Sequence, residues 1–244
     1  MHTLSYRNRR REIETYFDRT ASETWSRLTS DAPVSRIRAT VRAGRDEMRA
    51  VLLAALPHDL TGRRILDAGC GTGALAREAA RRGADVVAID IAPSLVNVAR
   101  DRASDAVPDP QFDTGKGRVE FLVGDMLDPA LGRFDHIVAM DSLIHYRTPD
   151  MVAMIAALAA RTNHSIHFTF APGTRALMAM RAVGRLFPQG DRAPAIEPVE
   201  EQVLRRALQA NTALSGWTPG PNQRVSRGFY KSEAMTIARE GAAA

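Results

Sequence analysis

The chain has 244 residues, 45% of them apolar, which is enough to fill the core of one large domain, so disorder is not expected. Its 33 basic and 28 acidic residues give a formal net charge of +5. The longest apolar run, residues 151–160, is shorter than the roughly 18 residues of a membrane span, and the first residues lack the apolar core of a signal peptide. A single cysteine, Cys70, excludes an intramolecular disulfide and indicates a reducing, cytoplasmic compartment.

The first predicted element is helical and covers residues 5–56, which we treat as an amino-terminal arm of residues 1–58. Residues 1–50 contain eleven arginines and seven acids, so this fifth of the chain carries a charge of +4. A basic arm favours an anionic partner. Charge alone leaves nucleic acid, an acidic membrane surface and an anionic small molecule open.

Strand and helix patterns alternate along residues 59–244, which we treat as a single α/β domain. The alternation predicts a parallel, doubly wound sheet. Residues 198–209 are predicted to be helical, and two further strands are placed at 229–231 and 235–238. The five strands of the alternating part are predicted at 63–68, 84–90, 118–123, 134–140 and 165–170.

Residues 174–194 interrupt this alternation. Their apolar residues, Met178 among them, are interleaved with Arg175 and Arg181 in a spacing typical of an amphipathic basic helix. The segment is either an ordinary crossover helix over the sheet or a lid over an apolar, anionic substrate. We interpret it as a lid insertion.

A glycine-rich loop follows the first strand, with Gly69, Gly71 and Gly73 at every second position around Cys70. Glycine permits positive φ and a close approach of a ligand, and the next helix directs free N–H groups into the loop. These features predict a cofactor cradle. The loose dinucleotide-binding pattern is also satisfied, so an NAD-dependent dehydrogenase remains an alternative.

Acidic residues at three strand ends favour S-adenosylmethionine over NAD. Asp67, two residues before the first glycine, would repel a pyrophosphate and can reach the amino-acid end of S-adenosylmethionine. Asp90 lies about 20 residues further on, where a carboxylate accepts hydrogen bonds from ribose hydroxyls. Asp125 suits the adenine amino group.

Residues 63–171 therefore resemble the class I S-adenosylmethionine-dependent methyltransferases. The resemblance implies a Rossmann-like, mostly parallel seven-stranded sheet closed by an antiparallel hairpin, with S-adenosylhomocysteine as the product. The cofactor-binding residues that we predict are Asp67, Gly69, Cys70, Gly71, Gly73, Asp90, Ile91, Asp125, Met126 and Asp141.

The acceptor is less clear from the residues alone. The stretch 141–146 lacks the Asn/Asp-Pro-Pro-Tyr motif of amino methylases that act on nucleic-acid bases, and the only cysteine lies in the cofactor loop. A nucleic-acid base is therefore disfavoured as the acceptor. A nucleic-acid-binding module on a vestigial methyltransferase fold, and a methyltransferase for another small flat anionic or quinone-type acceptor, both remain alternatives.

Several stretches resemble the magnesium-protoporphyrin IX O-methyltransferases of bacteriochlorophyll synthesis, so that the resemblance covers nearly the whole chain. It implies methyl transfer to a propionate carboxylate, magnesium as part of the substrate and no protein-bound metal. It also implies the magnesium chelatase as a partner, no nucleic acid, and peripheral contact of a cytoplasmic protein with the inner or photosynthetic membrane. The stretches that carry it are residues 16–21, 25–28, 35–45, 141–146 and 226–230.

The same resemblance points to His145 and Tyr16 as catalytic residues. His145 would remove a residual proton, donate a hydrogen bond to the non-attacking oxygen of the carboxylate, or bind the porphyrin magnesium, and these three roles stay open. Tyr16 would close the site as an oriented donor on the arm. A metalloporphyrin is a flat apolar plate with two propionates on one edge, so its site should combine apolar walls with a few arginines. The substrate-binding residues that we predict are Trp25, Arg38, Arg175, Met178, Arg181 and Arg227.

Overall fold

The computed structural model describes residues 3–20, 35–104, 117–173 and 194–241. A π-helical turn, Tyr16–Thr20, directly follows the first helix, and a short 3-10 turn, Leu143–His145, follows the fourth strand. The helices are α1 Leu4–Thr15, α2 Arg36–Ala54, α3 Ala74–Arg81, α4 Pro93–Ser104, α5 Thr148–Ala159 and α6 Glu201–Gln209. The strands are β1 Arg64–Ala68, β2 Asp85–Asp90, β3 Arg118–Val123, β4 Phe134–Ala139, β5 Thr162–Phe170, β6 Trp217–Arg227 and β7 Tyr230–Arg239.

The seven strands form one sheet in the order β3-β2-β1-β4-β5-β7-β6. Strands β1 to β5 pair in parallel, whereas β7 is antiparallel to both β5 and β6. The prediction of a doubly wound α/β sheet with a closing hairpin is confirmed. Because parallel strands end at the same edge, the segments that follow β1, β2, β3 and β4 meet there.

The predicted positions of the last two strands are wrong. Residues 230–231 and 235–238 lie within the single strand β7, whose hairpin partner is β6, and Phe229 lies with Gly228 (φ 55°) in the turn between them. Two prolines, Pro219 and Pro221, hid β6 from the sequence analysis because proline is rare in strands. The structure accommodates them on an edge strand, with a register shift between Pro219 and Asn222.

Two apolar cores lie on opposite faces of the sheet. Neighbouring strand residues point to opposite faces, so Leu66 joins the core under α1, α5 and α6, whereas Ile65 joins the core under α2, α3 and α4. The sheet is therefore covered on both sides, as the runs of buried residues in β1 and β2 require.

In the described parts of the arm, residues 3–20 and 35–58, helices α1 and α2 are present, and they pack on different faces of the sheet. Thr3 caps α1 by accepting a hydrogen bond from the backbone N–H of Tyr6, and Ser35 caps α2 in the same way. Met48 and Leu52 of α2 are completely buried in the second core. The second half of the arm is thus part of the domain core.

The proposed lid falls almost wholly on residues 174–193, which lie outside the described residues. In the described part of the chain, no helix combines the length and apolar character needed to cross a lipid bilayer.

Candidate active site

A pocket opens at the carboxyl edge of the parallel strands, between the strand ends and the helix α1. Its wall includes seven of the predicted cofactor residues: Gly69, Gly71, Asp90, Ile91, Asp125, Met126 and Asp141. Asp67, Cys70 and Gly73, which we also predicted, are not part of this wall and belong to the strand end and loop behind it.

The glycine loop is fixed by backbone contacts and by a close neighbour. The N–H groups of Gly69 and Cys70 both donate to the carbonyl of Ile89, at 2.8 and 3.0 Å. Gly69 has φ 84°, and a Cβ at this position would collide with the side chain of Ser142, whose Oγ donates to the carbonyl of Ala68 at 2.7 Å. Only glycine allows the loop after β1 and the loop after β4 to approach this closely.

Asp90 connects the glycine loop to the end of β2. Its Oδ2 accepts from the N–H of Gly71 at 2.8 Å and its Oδ1 from the N–H of Ala92 at 3.0 Å. Burial raises the pKa of this carboxyl, and the backbone hydrogen bonds oppose the rise. The carboxylate lies in the pocket wall, where the predicted ribose contact requires it.

Asp67 lies behind the loop in an apolar environment. Burial first, and then the charge of Asp90, raise its pKa from 3.8 to about 7. Its Oδ2 is buried and has no hydrogen-bond partner. Asp67 is not in the pocket wall, so the structure does not place its carboxyl in direct contact with a ligand there, whereas Asp90 is in the wall.

Asp125 is engaged by the arm. Its Oδ1 accepts from the hydroxyl of Tyr6 at 2.7 Å and from the N–H of Leu127 at 2.9 Å, and Arg10 lies 3.7 Å from Oδ2. The ring of Tyr6 stacks on that of Tyr146, with centroids 5.4 Å apart. Burial and the bond to Asp125 raise the pKa of Tyr6. Helix α1 is thereby held over the adenine end that we predicted for this pocket.

The sequence analysis missed Tyr6 and Ile13 of α1 and Phe17 of the π-helical turn that follows, all three in the pocket wall. The signal was present: these residues stand seven and four positions apart, which places them on one face of a helix. The motif-based search gave weight to Tyr16 instead.

His145 lies in the pocket wall and is buried. Its Nδ1 has no hydrogen-bond partner. Burial lowers the pKa of the imidazole, while the backbone of Ala195 and Pro194 and the charge of Asp141 oppose the shift. The ring is therefore neutral at pH 7.

Tyr16 is separated from His145 by Phe17. The Phe17 ring meets the His145 ring edge-on at 5.9 Å, and the Tyr16 ring meets the Phe17 ring at 5.2 Å. Phe17 is in the pocket wall, and Tyr16 is not.

Asp141 has a strained backbone, with φ 53°, at the end of β4. Its Oδ2 accepts from Nη1 of Arg45 at 2.6 Å, and the hydroxyl of Tyr230 lies 3.1 Å from both carboxylate oxygens. Ser232 and Thr169 donate to Oδ1 at 3.4 and 3.2 Å. Asp141 therefore connects α2, β5 and β7 to the loop that carries His145.

The predicted substrate residues are mostly not in this wall. Arg38 is exposed on the first turn of α2, and Arg227 pairs with Glu47 of α2 at 2.6 Å on the surface. Trp25, Arg175, Met178 and Arg181 lie outside the described residues. The basic side chain in the wall is instead Arg45, which we did not predict.

The donor set of the pocket fits a cationic ligand. Asp90, Asp125 and Asp141 contribute carboxylates, and the described wall contains one arginine and no lysine. A sulfonium and an ammonium group suit such a wall, whereas a pyrophosphate does not. Among the described residues, no group of three or more histidine, cysteine or acidic side chains is placed to hold a metal ion.

Two family models match the chain. One, described as a methyltransferase domain, matches residues 65–164, and the other, described as the magnesium-protoporphyrin IX methyltransferase C-terminus, matches residues 139–239. With the sheet order and the acid-lined glycine loop, the first match defines a class I S-adenosylmethionine-dependent methyltransferase.

Sequence identity to known proteins identifies the family within this class. The chain is 50% identical to the magnesium-protoporphyrin O-methyltransferase of Rhodobacter capsulatus over 94% of its own length and 96% of the relative's. It is 28% identical to the enzyme of the same name from Synechocystis sp., over 93% and 95% of the two chains. The chain belongs to the magnesium-protoporphyrin IX methyltransferase family.

A solved structure agrees with this assignment. The crystal structure of magnesium protoporphyrin IX methyltransferase from Synechocystis PCC 6803 with bound SAH superimposes with a TM-score of 0.76 at 27% identity, covering 94% of this chain and 99% of that one.

Proposed function

We propose that the protein transfers a methyl group from S-adenosylmethionine to a propionate carboxylate of magnesium-protoporphyrin IX and gives the monomethyl ester in (bacterio)chlorophyll biosynthesis. The observation that carries the proposal is the 50% identity to a magnesium-protoporphyrin O-methyltransferase over 94% of this chain. A pocket with a carboxylate-rich wall on one side and apolar arm side chains on the other supports it.

The electrostatics of the reaction explain the construction of the pocket. S-adenosylmethionine supplies an electrophilic methyl group on a positively charged sulfur. Transfer to a carboxylate removes one positive and one negative charge, so a dry environment favours the transition state over the separated ions. Ile13, Phe17 and the stacked Tyr6 and Tyr146 exclude water from the wall.

Positioning should supply most of the acceleration. A propionate, with an ordinary pKa near 4.3, is already ionised at pH 7, so it needs little help from a base. Holding the two reactants in line can contribute roughly 7 to 11 kcal/mol. The rigid contacts of the glycine loop with Ile89 and Ser142 serve this purpose on the cofactor side.

His145 is the residue that we propose to act on the acceptor. The backbone of Ala195 and Pro194 favours a proton on the nitrogen facing it, which leaves the buried, unpaired Nδ1 as the acceptor of the ring. Nδ1 can then remove a residual proton from a neutral propionic acid and leave the reactive carboxylate. Tyr16 is retained as the proposed oriented donor, one aromatic ring away from His145.

We further propose that residues 1–58 cap the substrate and that residues 174–194 form a lid over it. Three arm side chains in the pocket wall, Tyr6, Ile13 and Phe17, support the first of these roles. Trp25, Arg175, Met178 and Arg181 are the proposed porphyrin contacts on these two segments, and Arg38 and Arg227 are proposed to attract the propionates to the pocket from the surface.

Peripheral contact of a cytoplasmic protein with an anionic membrane is proposed on the basis of one surface. Ile37 on α2 and Phe229 in the β6–β7 turn are 56% and 75% exposed, and Gly228 beside Phe229 packs against Thr40 of α2. Exposed arginines flank Ile37 on the same helix. The magnesium chelatase remains a proposed partner because a poorly soluble metalloporphyrin favours direct transfer between enzymes.

One assay tests the proposed function. Purified protein is incubated with S-adenosylmethionine labelled on the methyl group and with magnesium-protoporphyrin IX, metal-free protoporphyrin IX or a quinone-type acceptor. We expect a labelled monomethyl ester from the magnesium porphyrin and much less product from the other two. Equal transfer to the quinone-type acceptor would support the broader alternative of a small-molecule methyltransferase.

A further inference from the structure

Arg45 occupies an unusual position for a surface-helix arginine. The preceding residue, Gly44, packs directly on Tyr230, since a Cβ there would lie 2.5 Å from the ring. This close approach brings the next side chain of α2 to the pocket, where Arg45 lies in the wall with Gly69, Gly71 and Ser142. The helix therefore delivers a positive charge to the glycine-loop end of the site.

Asp141 forms an ion pair with Arg45, and its carboxylate also has other hydrogen-bond donors. The ion pair joins Nη1 of Arg45 to Oδ2 of Asp141 at 2.6 Å, and both side chains are largely buried. Tyr230, Ser232 and Thr169 also donate to the carboxylate. With these three hydroxyl donors, Asp141 stays hydrogen-bonded when the guanidinium shares its charge with a second anion.

The charges of the pocket wall indicate which kind of anion Arg45 can bind. Asp90, which accepts from the N–H of Gly71, and Asp125 suit the hydroxyls and amino group of an adenosine. Beside Asp141, the guanidinium of Arg45 is a fork of donors that matches a carboxylate in shape and charge. Two carboxylates are available in the proposed reaction, the α-carboxylate of S-adenosylmethionine and a propionate of the porphyrin.

We infer that Arg45 is the residue that binds a ligand carboxylate in this pocket, with Asp141 as its partner in the protein. This inference rests on the proposed function. The location beside Asp141, whose chain neighbour Ser142 packs against Gly69, favours the α-carboxylate, because the glycine loop is where the amino-acid end of the methyl donor is expected.

The test compares ligands that carry a free carboxylate with counterparts that do not. S-adenosylhomocysteine is titrated beside 5′-methylthioadenosine, which lacks the amino-acid group, and magnesium-protoporphyrin IX beside its dimethyl ester. Calorimetry gives the first two dissociation constants, and porphyrin absorbance gives the others. The proteins are wild type, Arg45→Met, Arg45→Lys and, as a matched control one turn along α2, Arg49→Met, which loses a surface pair with Asp46.

Arg45→Met should weaken one carboxylate-bearing ligand by about ten- to a hundredfold, as expected for a charge-assisted hydrogen bond, and leave its carboxylate-free counterpart unchanged. Arg45→Lys should restore part of the affinity, and Arg49→Met should change neither pair. A selective loss of S-adenosylhomocysteine assigns the α-carboxylate, and a selective loss of the diacid porphyrin assigns the propionate.

The inference would be overturned if Arg45→Met weakened both ligands of each pair equally, or if it reduced affinity no more than Arg49→Met does. Far-ultraviolet circular dichroism checks folding, and an Arg45→Gln/Asp141→Asn double variant, which leaves no unpaired carboxylate, replaces Arg45→Met if the latter is unstable. Failure of the wild type to bind or methylate the magnesium porphyrin would count against the proposed function, while the S-adenosylhomocysteine pair would still decide the role of Arg45.

Discussion

At the scale of single residues, burial controls the protonation of the side chains around the pocket. Burial lowers the pKa of His145 and raises the pKa values of Asp67 and Asp90. Each shift favours the neutral form of its group.

Replacing His145 by Gln should lower kcat by at least about tenfold, because an amide cannot take up a proton at the position of Nδ1. The affinity for S-adenosylhomocysteine should remain within about twofold of the wild type. Steady-state kinetics with the magnesium porphyrin and calorimetry measure the two quantities. An unchanged kcat would remove His145 from the mechanism.

Replacing Asp90 by Asn should weaken S-adenosylhomocysteine binding by at least about tenfold. Both carboxylate oxygens accept from backbone N–H groups, so an amide would turn its own NH₂ toward Gly71 or Ala92 and leave that N–H unpaired. Calorimetry checks the loss. Asp101→Asn, on the exposed surface of α4, serves as the control, and wild-type affinity in Asp90→Asn would contradict both the loop contact and the ribose contact.

The site could be predicted from the sequence where the chemistry is local in the chain. The glycine loop and the acids that follow β1, β2 and β3 stand at fixed distances along the chain, and the structure brings Gly69, Gly71, Asp90 and Asp125 together. Tyr6 and Arg45 could not be found in this way. Their partners Asp125 and Asp141 are 119 and 96 positions away, and nothing local encodes such contacts.

At the scale of elements, α2 is positioned by a residue that costs helix stability. A glycine inside a helix is about 1 kcal/mol less favourable than alanine, yet Gly44 lies near the middle of α2. Contact with Tyr230 explains its presence.

Gly44→Ala should destabilise the protein by about 1 to 3 kcal/mol, despite the better helix propensity of alanine, because the new methyl group overlaps the Tyr230 ring close to its backbone. Chemical denaturation measures the free energy of unfolding. Ala43→Gly, at the exposed neighbouring position, gives the size of the propensity effect alone. A stabilised Gly44→Ala variant would show that the close packing is absent.

A buried polar row crosses β4, β5 and β7. His136 bonds to Ser165 at 2.7 Å, Ser165 to His167 at 2.7 Å, and His167 to Thr236 at 2.8 Å. Burial lowers the pKa of His136 to about 4 and that of His167 to about 3, from an ordinary value of 6.5. Between each lowered pKa and 6.5, the two histidines of the folded protein therefore bind fewer protons than those of the unfolded chain.

The free energy of unfolding should be highest above pH 6.5. It should fall as the pH decreases from 6.5 toward the lowered pKa values, by about 1.4 kcal/mol per pH unit for each histidine. His167→Asn should reduce the slope between pH 6 and pH 4 by about one proton. Denaturant melts at several pH values provide the measurement, with His58→Asn at an exposed position as the control. An unchanged slope in His167→Asn would mean that His167 is charged in the folded state.

Element prediction succeeded where the apolar pattern is strong and failed where polar residues carry a strand. Strands β1 to β4 were located within one residue at each end. Strand β5 begins at Thr162, three residues earlier than predicted, because Thr162, Asn163 and His164 have no apolar pattern. Helix α6 begins at Glu201 and not at residue 198, since Pro198 precedes the helix without joining it.

At the scale of the whole molecule, we expect the two helices of the arm to differ in their importance for folding. The protein should fold without α1 but not without α2. Deleting residues 1–20 removes α1, whose contacts include Thr3 and Ser5 to Asp150 at 2.8 and 2.9 Å. We expect a folded protein with weaker S-adenosylhomocysteine binding, because the pocket wall loses Tyr6, Ile13 and Phe17.

Deleting residues 1–58 should abolish folding. Met48, Leu52, Leu53 and Leu56 would be lost from the second core, at roughly 1.5 to 3 kcal/mol each, a total comparable with the whole stability of a domain. Thermal unfolding followed by circular dichroism distinguishes the two deletions. A cooperative transition in the longer deletion would instead support an independent domain of residues 59–244.

The contacts of α1 also bear on the order in which the chain assembles. Translation produces this helix first, but its hydrogen-bond partners Asp125 and Asp150 follow 119 or more positions later. Contacts between distant positions form late because the intervening chain must first lose its freedom. We therefore expect α1 to dock only after α5 has emerged from the ribosome, so that the arm side of the pocket forms late although its residues are synthesised first.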